Sequence, residues 1–375
     1  MKKKVFIVIA RLNQGGTAKY IYELYKGLNE LNYEVVVAAG HVQKDETEDL
    51  LASRIPIIRI PRLERSLNPI NDYIARKHIK KAIRKNNPDI VYSHTFKAGL
   101  LVRSLRLKQP IIHAQHGHSL NNPEFGKLSK LIWILIEKTL AQRTRYMVTV
   151  GRQVGLDLLR IGIGKDKQYV SIPPGVTPPK LLTREEALKE LKLSTDDRLR
   201  VVWLGRFVEV KNPLMVVSLS IKFPDVDFIM GGSGELSTQV LEEKRPNIYL
   251  VGWQDSALLL SAADVVINTS KSEGMSLSII EAQQSGIPVV VTNVGSSSEI
   301  VVDGITGLLS NLNDNSFREK LELLLNNHDL RENMKQSARD NATKKFSVKL
   351  FIQNHIDLFS RSFNSHELDK EVNHP

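Results

Sequence analysis

The sequence predicts an α/β protein of two doubly wound, Rossmann-like domains. Three observations carry this. Short apolar, β-branched runs alternate with stretches of helical periodicity through the first 150 residues or so; a proline-rich segment interrupts them near residue 175; and the alternation restarts at Arg200. Strands that alternate with helices form parallel sheets covered on both faces. A chain of 375 residues is the natural length for two such domains.

Residues 5–10 (VFIVIA) are predicted to be the first buried strand. The preceding Met-Lys-Lys-Lys has the basic start of a leader, but the apolar run is short and soon meets Arg11 and Asn13, which favours a strand. Residues 17–31 place Ile21, Leu24, Leu28 and Leu31 at helical spacing. Apolar runs follow at 35–39 and 55–60, then a basic helix at 74–86, stopped by Asn86-Asn87-Pro88. Residues 90–93, 111–115 and 146–150 are further short strands. Residues 131–136 (LIWILI) read as a buried helix, with membrane contact as the less favoured alternative. The run falls far short of the ~20 residues that a membrane span needs.

Residues 170–175 (VSIPPG) and Pro178-Pro179 are predicted to be the interdomain linker, because proline continues neither helix nor strand. A short helix at 185–192 precedes the strand 200–205, which opens the second series. Strands at 226–230, 248–251, 265–268 and 288–292 follow, separated by helical segments. The expected domains are therefore 1–175 and 176–345, joined so as to leave a cleft. A last helix, 348–359, should end the folded chain, with a polar, disordered tail at 363–375.

Hydrophobic residues make up 42% of the chain and charged residues 25%, an ordinary globular balance. The absence of cysteine excludes disulfides, a thiolate nucleophile and Cys-ligated zinc. The net charge of +11 is uneven: residues 1–175 hold 30 Lys and Arg against 14 Asp and Glu, whereas the remainder holds 22 against 27. Such asymmetry points to an anionic partner for the first half. Cations crowd residues 54–85, among them Arg54, Arg59, Arg76, Lys80 and Lys81. That stretch lacks interleaved aromatics and any recognised nucleic-acid motif, so no nucleic-acid partner is expected. An anionic membrane surface, met by the basic N-terminal domain, is the other candidate partner, with general solubility as the alternative reading.

Several motifs follow predicted strands, where doubly wound sheets bind ligands. Gly15 and Gly16 stand before the first helix, where backbone can approach a ligand and amides can meet an anion. The pattern is not a dinucleotide fingerprint and is equally compatible with a plain turn. Arg206 and Lys211 follow the strand 200–205 and suit a diphosphate, the guanidinium as a fork and the ammonium as a point charge. Gly232, in Gly231-Gly232-Ser233-Gly234, follows the next strand. Asp225 and Asp227 sit at a strand's amino end, the wrong end for a metal-bound diphosphate, and read as strand-start residues. The segment 272–282 (SEGMSLSIIEA) carries Glu273 in a loop and Glu281 in a helix. Even on one helix, eight residues would separate them by about 12 Å, so they would touch different parts of one extended ligand. The amides of Gly274, Met275, Ser276 and Leu277 would face a phosphate between them. His113, His116 and His118 are close in sequence, but no carboxylate accompanies them and no metal or cofactor is expected.

EGMSLSIIEA, followed by GIPVVVTNVGSSSEIVVDGITGLL over residues 286–309, resembles the family-4 retaining glycosyltransferases of GT-B fold. The resemblance covers nearly the whole chain, including the Gly15-Gly16 loop, SIPPGV, LGR with Lys211, and GGSGE. HTFKAGLLVR and HAQHGHS look like bacterial enzymes that build capsule, exopolysaccharide or O-antigen. The resemblance implies that Arg206 and Lys211 neutralise a donor diphosphate, Glu281 binds the ribose hydroxyls, and Glu273 binds the transferred sugar. It implies that His116, or failing it His118, approaches that sugar from the first domain. It also implies that a terminal helix within 346–362 crosses back to the first domain. Pro174 stands where relatives usually carry Asn. The expected activity is metal-free, retaining transfer of a hexose or N-acetylhexosamine from a nucleotide-sugar, UDP foremost. The acceptor would be a glycan or a polyprenyl-diphosphate-linked acceptor, handled by a cytoplasmic enzyme, with peripheral association on the inner face of the membrane as the further option. A nucleotide-sugar epimerase and an inactive glycosyltransferase-like scaffold are the alternatives.

Overall fold

The computed structural model describes residues 2–43, 46–117 and 126–371. In chain order its elements are β1 (Lys3–Ile9), α1 (Gly16–Asn29), β2 (Tyr33–Ala39), β3 (Ile57–Arg59), α2 (Pro69–Asn86), β4 (Ile90–His94), α3 (Thr95–Arg103), β5 (Ile111–Gln115), α4 (Lys127–Ala141), β6 (Tyr146–Thr149), α5 (Arg152–Arg160) and β7 (Tyr169–Ser171). They continue as α6 (Arg184–Glu190), β8 (Arg200–Leu204), α7 (Pro213–Lys222), β9 (Asp227–Gly231), α8 (Ser237–Glu243), β10 (Ile248–Gly252), α9 (Ser256–Ser261), β11 (Val265–Asn268), α10 (Leu277–Gln284), β12 (Val289–Thr292), α11 (Ser297–Ile300), β13 (Leu308–Ser310), α12 (Asp314–Asn326), α13 (His328–Lys345) and α14 (Val348–Glu371). Two units result. Of the described residues, the first comprises those up to 175 together with α14, and the second comprises 176–347.

In the first unit seven parallel strands pair in the order β3-β2-β1-β4-β5-β6-β7. Val5 to Ile9 are all fully buried. A run without polar alternation is what a strand covered on both faces requires. In the second unit six parallel strands pair as β10-β9-β8-β11-β12-β13. Its core gathers Trp203, Phe207, Phe228, Ile267, Phe317 and Leu321 among others. Each sheet reverses its winding beside its first strand, between β1 and β4 in one and between β8 and β11 in the other. The loops at the carboxyl ends of those strands diverge and leave a crevice for a ligand.

Several expectations need correction. Residues 169–171, the first of them just ahead of the predicted linker and the other two inside it, form the edge strand β7. β13, also a three-residue edge strand, was not anticipated. α2 begins at Pro69 rather than 74, because the Asn68 side chain accepts from the amides of Ile70 and Asn71 and Pro69 takes the first helical position. α14 runs to Glu371, well past 362, since residues 363–371 contain neither Gly nor Pro. The run 131–136 is not buried as a whole: Trp133 is, but Leu131, Ile132 and Leu135 are at least half exposed. α4 turns Trp133, Glu137, Leu140 and Ala141 inward instead. Glu137 forms a fork with Arg103 of α3 (Nη1 to Oε2 2.9 Å, Nη2 to Oε1 2.7 Å), and neither side chain is exposed at all.

α14 is held to the first unit by a buried polar cluster. His355 donates from Nδ1 to the Phe351 carbonyl (2.8 Å), which leaves Nε2 to accept from the hydroxyls of Tyr20 (3.2 Å) or Tyr92 (3.3 Å). Burial pushes the His355 imidazole down to about 4. With its folded pKa depressed, the unfolded chain takes up the proton first. This contribution to stability is therefore complete above about pH 6.5 and lost as pH falls toward 4, amounting to about 3 kcal/mol. His94, His113 and His116 are buried neutral by the same effect and steepen the acid slope. The share of His355 is read by difference: His355→Leu should melt with a shallower dependence on pH between 4 and 6.5, and an unchanged slope would contradict this account.

Candidate active site

The second unit's crevice is assembled from the loops after β8, β9, β11 and β12. After β8 the chain passes exposed Arg206 and forms a single 3₁₀ turn, Glu209–Lys211. Asn212 then takes a left-handed conformation (φ 53°) and Pro213 starts α7. Thr269, just past β11, fixes this turn. Its hydroxyl lies 3.0 Å from the Lys211 carbonyl and 2.9 Å from that of Asn212, and it accepts from Trp203 Nε1 at 3.0 Å. The Lys271 amide donates to the Val210 carbonyl at 2.8 Å, which ties the β8 loop to the β11 loop.

Across that seam the Lys211 ammonium pairs with the Glu273 carboxylate. The same carboxylate oxygen accepts from Ser270 Oγ (2.8 Å) and Asn268 Nδ2 (3.2 Å). Asn268 Nδ2 also reaches Ser276 Oγ at 3.3 Å. Burial pushes the Glu273 carboxyl up, but Lys211 and the hydrogen bonds from Ser270 and Asn268 outweigh it and hold the group below the usual carboxylate range. Glu273 is therefore an anion with one fixed cation beside it. The β12 loop supports it from behind: Gly295 (φ 54°) packs against the Glu273 carbonyl, and the Ser296 amide donates to the Gly274 carbonyl at 3.2 Å.

Gly274, Met275 and Ser276 are buried and lead into α10. Ser276 is its N-cap residue, yet no side chain caps the helix and its first turn holds no acidic residue. The amides from Leu277 onward thus begin a helix with no side-chain cap and no acidic residue in its own first turn. Glu281 is the fifth residue of α10 and is buried, so Glu273 in the loop and Glu281 in the helix are separate. Gln284 and Gln283 fasten α10 by donating to the carbonyls of Val176 and Thr306, each at 3.0 Å.

Gly232 adopts φ 132°, and a β-carbon there would sit 1.9 Å from the Gly205 carbonyl oxygen. Only glycine lets the β9 loop lie flat on the β8 loop that carries Arg206. Gly232→Ala should separate the two loops and, on the donor-binding role that the resemblance implies, weaken nucleotide-sugar affinity at least roughly tenfold. Titration calorimetry that finds wild-type affinity would refute this role.

Of the predicted residues, the structure brings Lys211, Glu273, Gly274 and Ser276 together, with Gly232 and Arg206 on adjoining loops. Gly15, Gly16 and His116 belong to the first unit, at the carboxyl ends of its strands. Gly15 (φ 142°) is the N-cap residue of α1, which has no side-chain cap. His116 Nε2 lies 3.0 Å from His94 Nδ1, and its ring stacks edge-on with Tyr20. Burial, then His355, pushes His116 down to about 4, so it is neutral. His118 lies outside the described residues. Asp227, first in β9, is buried and pairs with Arg198, in keeping with its reading as a strand-start residue. Asn268, Thr269 and Ser270 were missed; the only signal was three hydrogen-bonding side chains in a row where an apolar strand ends.

Two family models match the chain. "Glycosyltransferase Family 4" matches residues 14–179, and "Glycosyl transferases group 1" matches residues 184–341. An Escherichia coli protein, "UDP-Gal:alpha-D-GlcNAc-diphosphoundecaprenol alpha-1,3-galactosyltransferase", is 28% identical over 71% of this chain and 73% of its own. Among solved structures, a sucrose-phosphate synthase from Thermosynechococcus elongatus superposes with a TM-score of 0.83 at 18% identity, over 97% of this chain and 100% of that one. Anabaena HepE in complex with UDP and glucose gives 0.80 at 16% identity, over 96% and 100%. With both halves matched in sequence and both parallel-sheet units matched in fold, the chain belongs to the family-4 glycosyltransferases of GT-B fold, whose relatives here include enzymes of cell-surface polysaccharide synthesis.

Proposed function

We propose that the protein is a retaining, metal- and cofactor-independent transferase that moves a hexose or N-acetylhexosamine from a nucleotide-sugar, most favourably a UDP-sugar, to a polyprenyl-diphosphate-linked glycan. It would act in cell-surface polysaccharide synthesis, on the inner face of an anionic membrane. The observation that carries this is the Lys211–Glu273 pair beside the uncapped start of α10, at the winding reversal of the second sheet. A diphosphate would meet the uncapped start of α10, with Arg206 and Lys211 as its cations. Glu273 would then accept from sugar hydroxyls and Glu281 from the ribose. His116, neutral, would offer a hydrogen bond from the first unit. The E. coli relative is named for UDP-galactose and a diphosphoundecaprenol-linked sugar, and HepE was solved with UDP; both favour the uridine donor and, for the former, the lipid-linked acceptor.

In the transfer step the acceptor hydroxyl oxygen bonds to the anomeric carbon as that carbon's bond to the diphosphate oxygen breaks. The acceptor proton passes to a phosphate oxygen on the same face, and the nucleoside diphosphate leaves. Preorganised cations and amides stabilise the charge that grows on the leaving group. Trapping a glycosyl-enzyme on a side chain would overturn front-face attack. The donor is tested by thermal shift with UDP-, GDP-, ADP- and TDP-sugars. A true donor at 100 times its dissociation constant adds ~2.7 kcal/mol. Stabilisation by none of them would end the proposal.

A further inference from the structure

His94, His113 and His355 are fully buried in the first unit, and His116 lies against them. Of these rings the proposed reaction uses His116 alone. His94 ends β4 and His116 stands just past β5, the neighbouring parallel strand. Aromatic rings hold both in orientation. The Tyr92 ring lies 4.2 Å from that of His94, centre to centre, and the Tyr20 ring 4.7 Å from that of His116. His355 of α14 backs the two tyrosines, within hydrogen-bonding distance of each hydroxyl. Immediately after His94, Thr95 takes a left-handed conformation (φ 66°), which is costly for a β-branched residue. Such strain persists only where the surroundings over-determine the backbone.

His94 and His116 are both neutral. Burial, then the neighbouring imidazoles, holds His94 well below its usual range, and burial, then His355, lowers His116. Across the 3.0 Å contact from His94 Nδ1 to His116 Nε2, one ring must therefore donate and the other accept. If His116 donated, His94 would carry its proton on Nε2. That nitrogen is buried and has no hydrogen-bond partner among the described residues, so an N–H would be stranded there. If His94 donates, its Nε2 is bare instead. His113 shows that this core accepts a bare Nε2. Its Nδ1 donates to the Ser93 carbonyl at 3.1 Å, since a carbonyl only accepts, and its Nε2 is likewise buried and unpartnered.

We infer that His94 is a positioning residue: it donates from Nδ1 to His116 Nε2 and so fixes His116 as the tautomer whose proton sits on Nδ1. This rests on the sugar contact proposed for His116 and names the nitrogen that makes it. The hydrogen bond at one imidazole nitrogen sets the protonation of the other. Without His94, His116 would exchange tautomers and present a lone pair at Nδ1 in part of the population.

Nitrogen NMR of the histidine rings in the full chain, assigned with His94→Asn and His116→Ala, reads the tautomers directly. In wild type both His94 and His116 should carry the proton on Nδ1. A proton on His94 Nε2 would overturn the inference, whatever the variants do. Kinetics then follow UDP release from UDP-galactose or UDP-glucose. His116→Ala should lower kcat, and His94→Leu should lower it about tenfold, the scale of one hydrogen bond. His94→Asn places an amide donor near the position of Nδ1 and should stay within about threefold of wild type, which separates the lost bond from lost packing. In the His116→Ala background, His94→Leu should cost nothing more. Additive losses, or a His94→Asn variant as slow as His94→Leu, would make His94 a packing residue and overturn the inference. If His116→Ala slows the reaction and His94→Leu does not, the inference fails while the role of His116 stands. If His116→Ala leaves the rate unchanged, the proposed sugar contact falls and the positioning role falls with it.

Discussion

Lys211→Ala is expected to lower kcat by about 10²–10³, the scale of losing one preorganised charge-stabilising group. The lysine's position explains why the loss is large. Its backbone is clamped by Thr269 and its ammonium is fixed against Glu273, so in the proposed reaction it would meet the leaving diphosphate already positioned. The same substitution changes Glu273. With Lys211 gone, burial pushes that carboxyl up against only the hydrogen bonds from Ser270 and Asn268. A reaction that needs the carboxylate ionised should therefore show its acid limb at higher pH in the variant than in wild type. Steady-state rates across pH separate the two effects. A fall in kcat with an unmoved acid limb would mean that Lys211 does not set the state of Glu273, and an unchanged kcat would remove Lys211 from the leaving-group site. Lys211→Arg, which keeps the charge but not the fit, should recover only part of the rate.

The largest loss of stability is expected from Arg103→Met. Arg103 and Glu137 are wholly buried and joined by two short hydrogen bonds, and Arg103 Nε adds a third to the Gly99 carbonyl at 3.1 Å. Removing the guanidinium leaves a carboxylate enclosed by α3 and α4, with Gln115 Nε2 at 3.4 Å as its remaining polar neighbour among the bonds described. Breaking such a pair costs about 3–5 kcal/mol, whereas replacing both partners by apolar residues of similar volume is often neutral. The double variant Arg103→Met with Glu137→Leu should consequently melt well above Arg103→Met alone. Denaturant unfolding of the single and double variants measures the difference, and equal stability of the two would show that the stranded charge is not the cause.

The first six strands and the five from β8 to β12 were readable as apolar runs because parallel strands are covered on both faces and carry no polar alternation. β3, β7 and β13 are all three-residue edge strands; β3 was legible because it lies inside the apolar run 55–60, whereas two prolines soon follow β7 and β13 has no such run of its own marked off by turns. The exposure of α4's stripe was also hidden. Its apolar spacing is that of any amphipathic helix, and sequence does not say which side meets the sheet. At the site, Lys211 and Glu273 stood out individually, but their contact spans 62 residues and depends on Thr269, whose role appears only once β8 and β11 are neighbours. The His355–Tyr20 link spans 335 residues and left no local trace.

That link sets an order of events during synthesis. Among the described residues the second unit is the single stretch 176–347, so its elements can pair as soon as that stretch has emerged. The first unit needs α14, which is translated after all of residues 176–347. At the usual pace of translation the ribosome spends roughly 10–30 s on that stretch. Throughout it, the nascent first unit has α1 and the rings of Tyr20 and Tyr92 uncovered where Phe351, His355 and Phe359 will pack. The half of the molecule made first is therefore the half finished last, and the half a chaperone has most reason to hold.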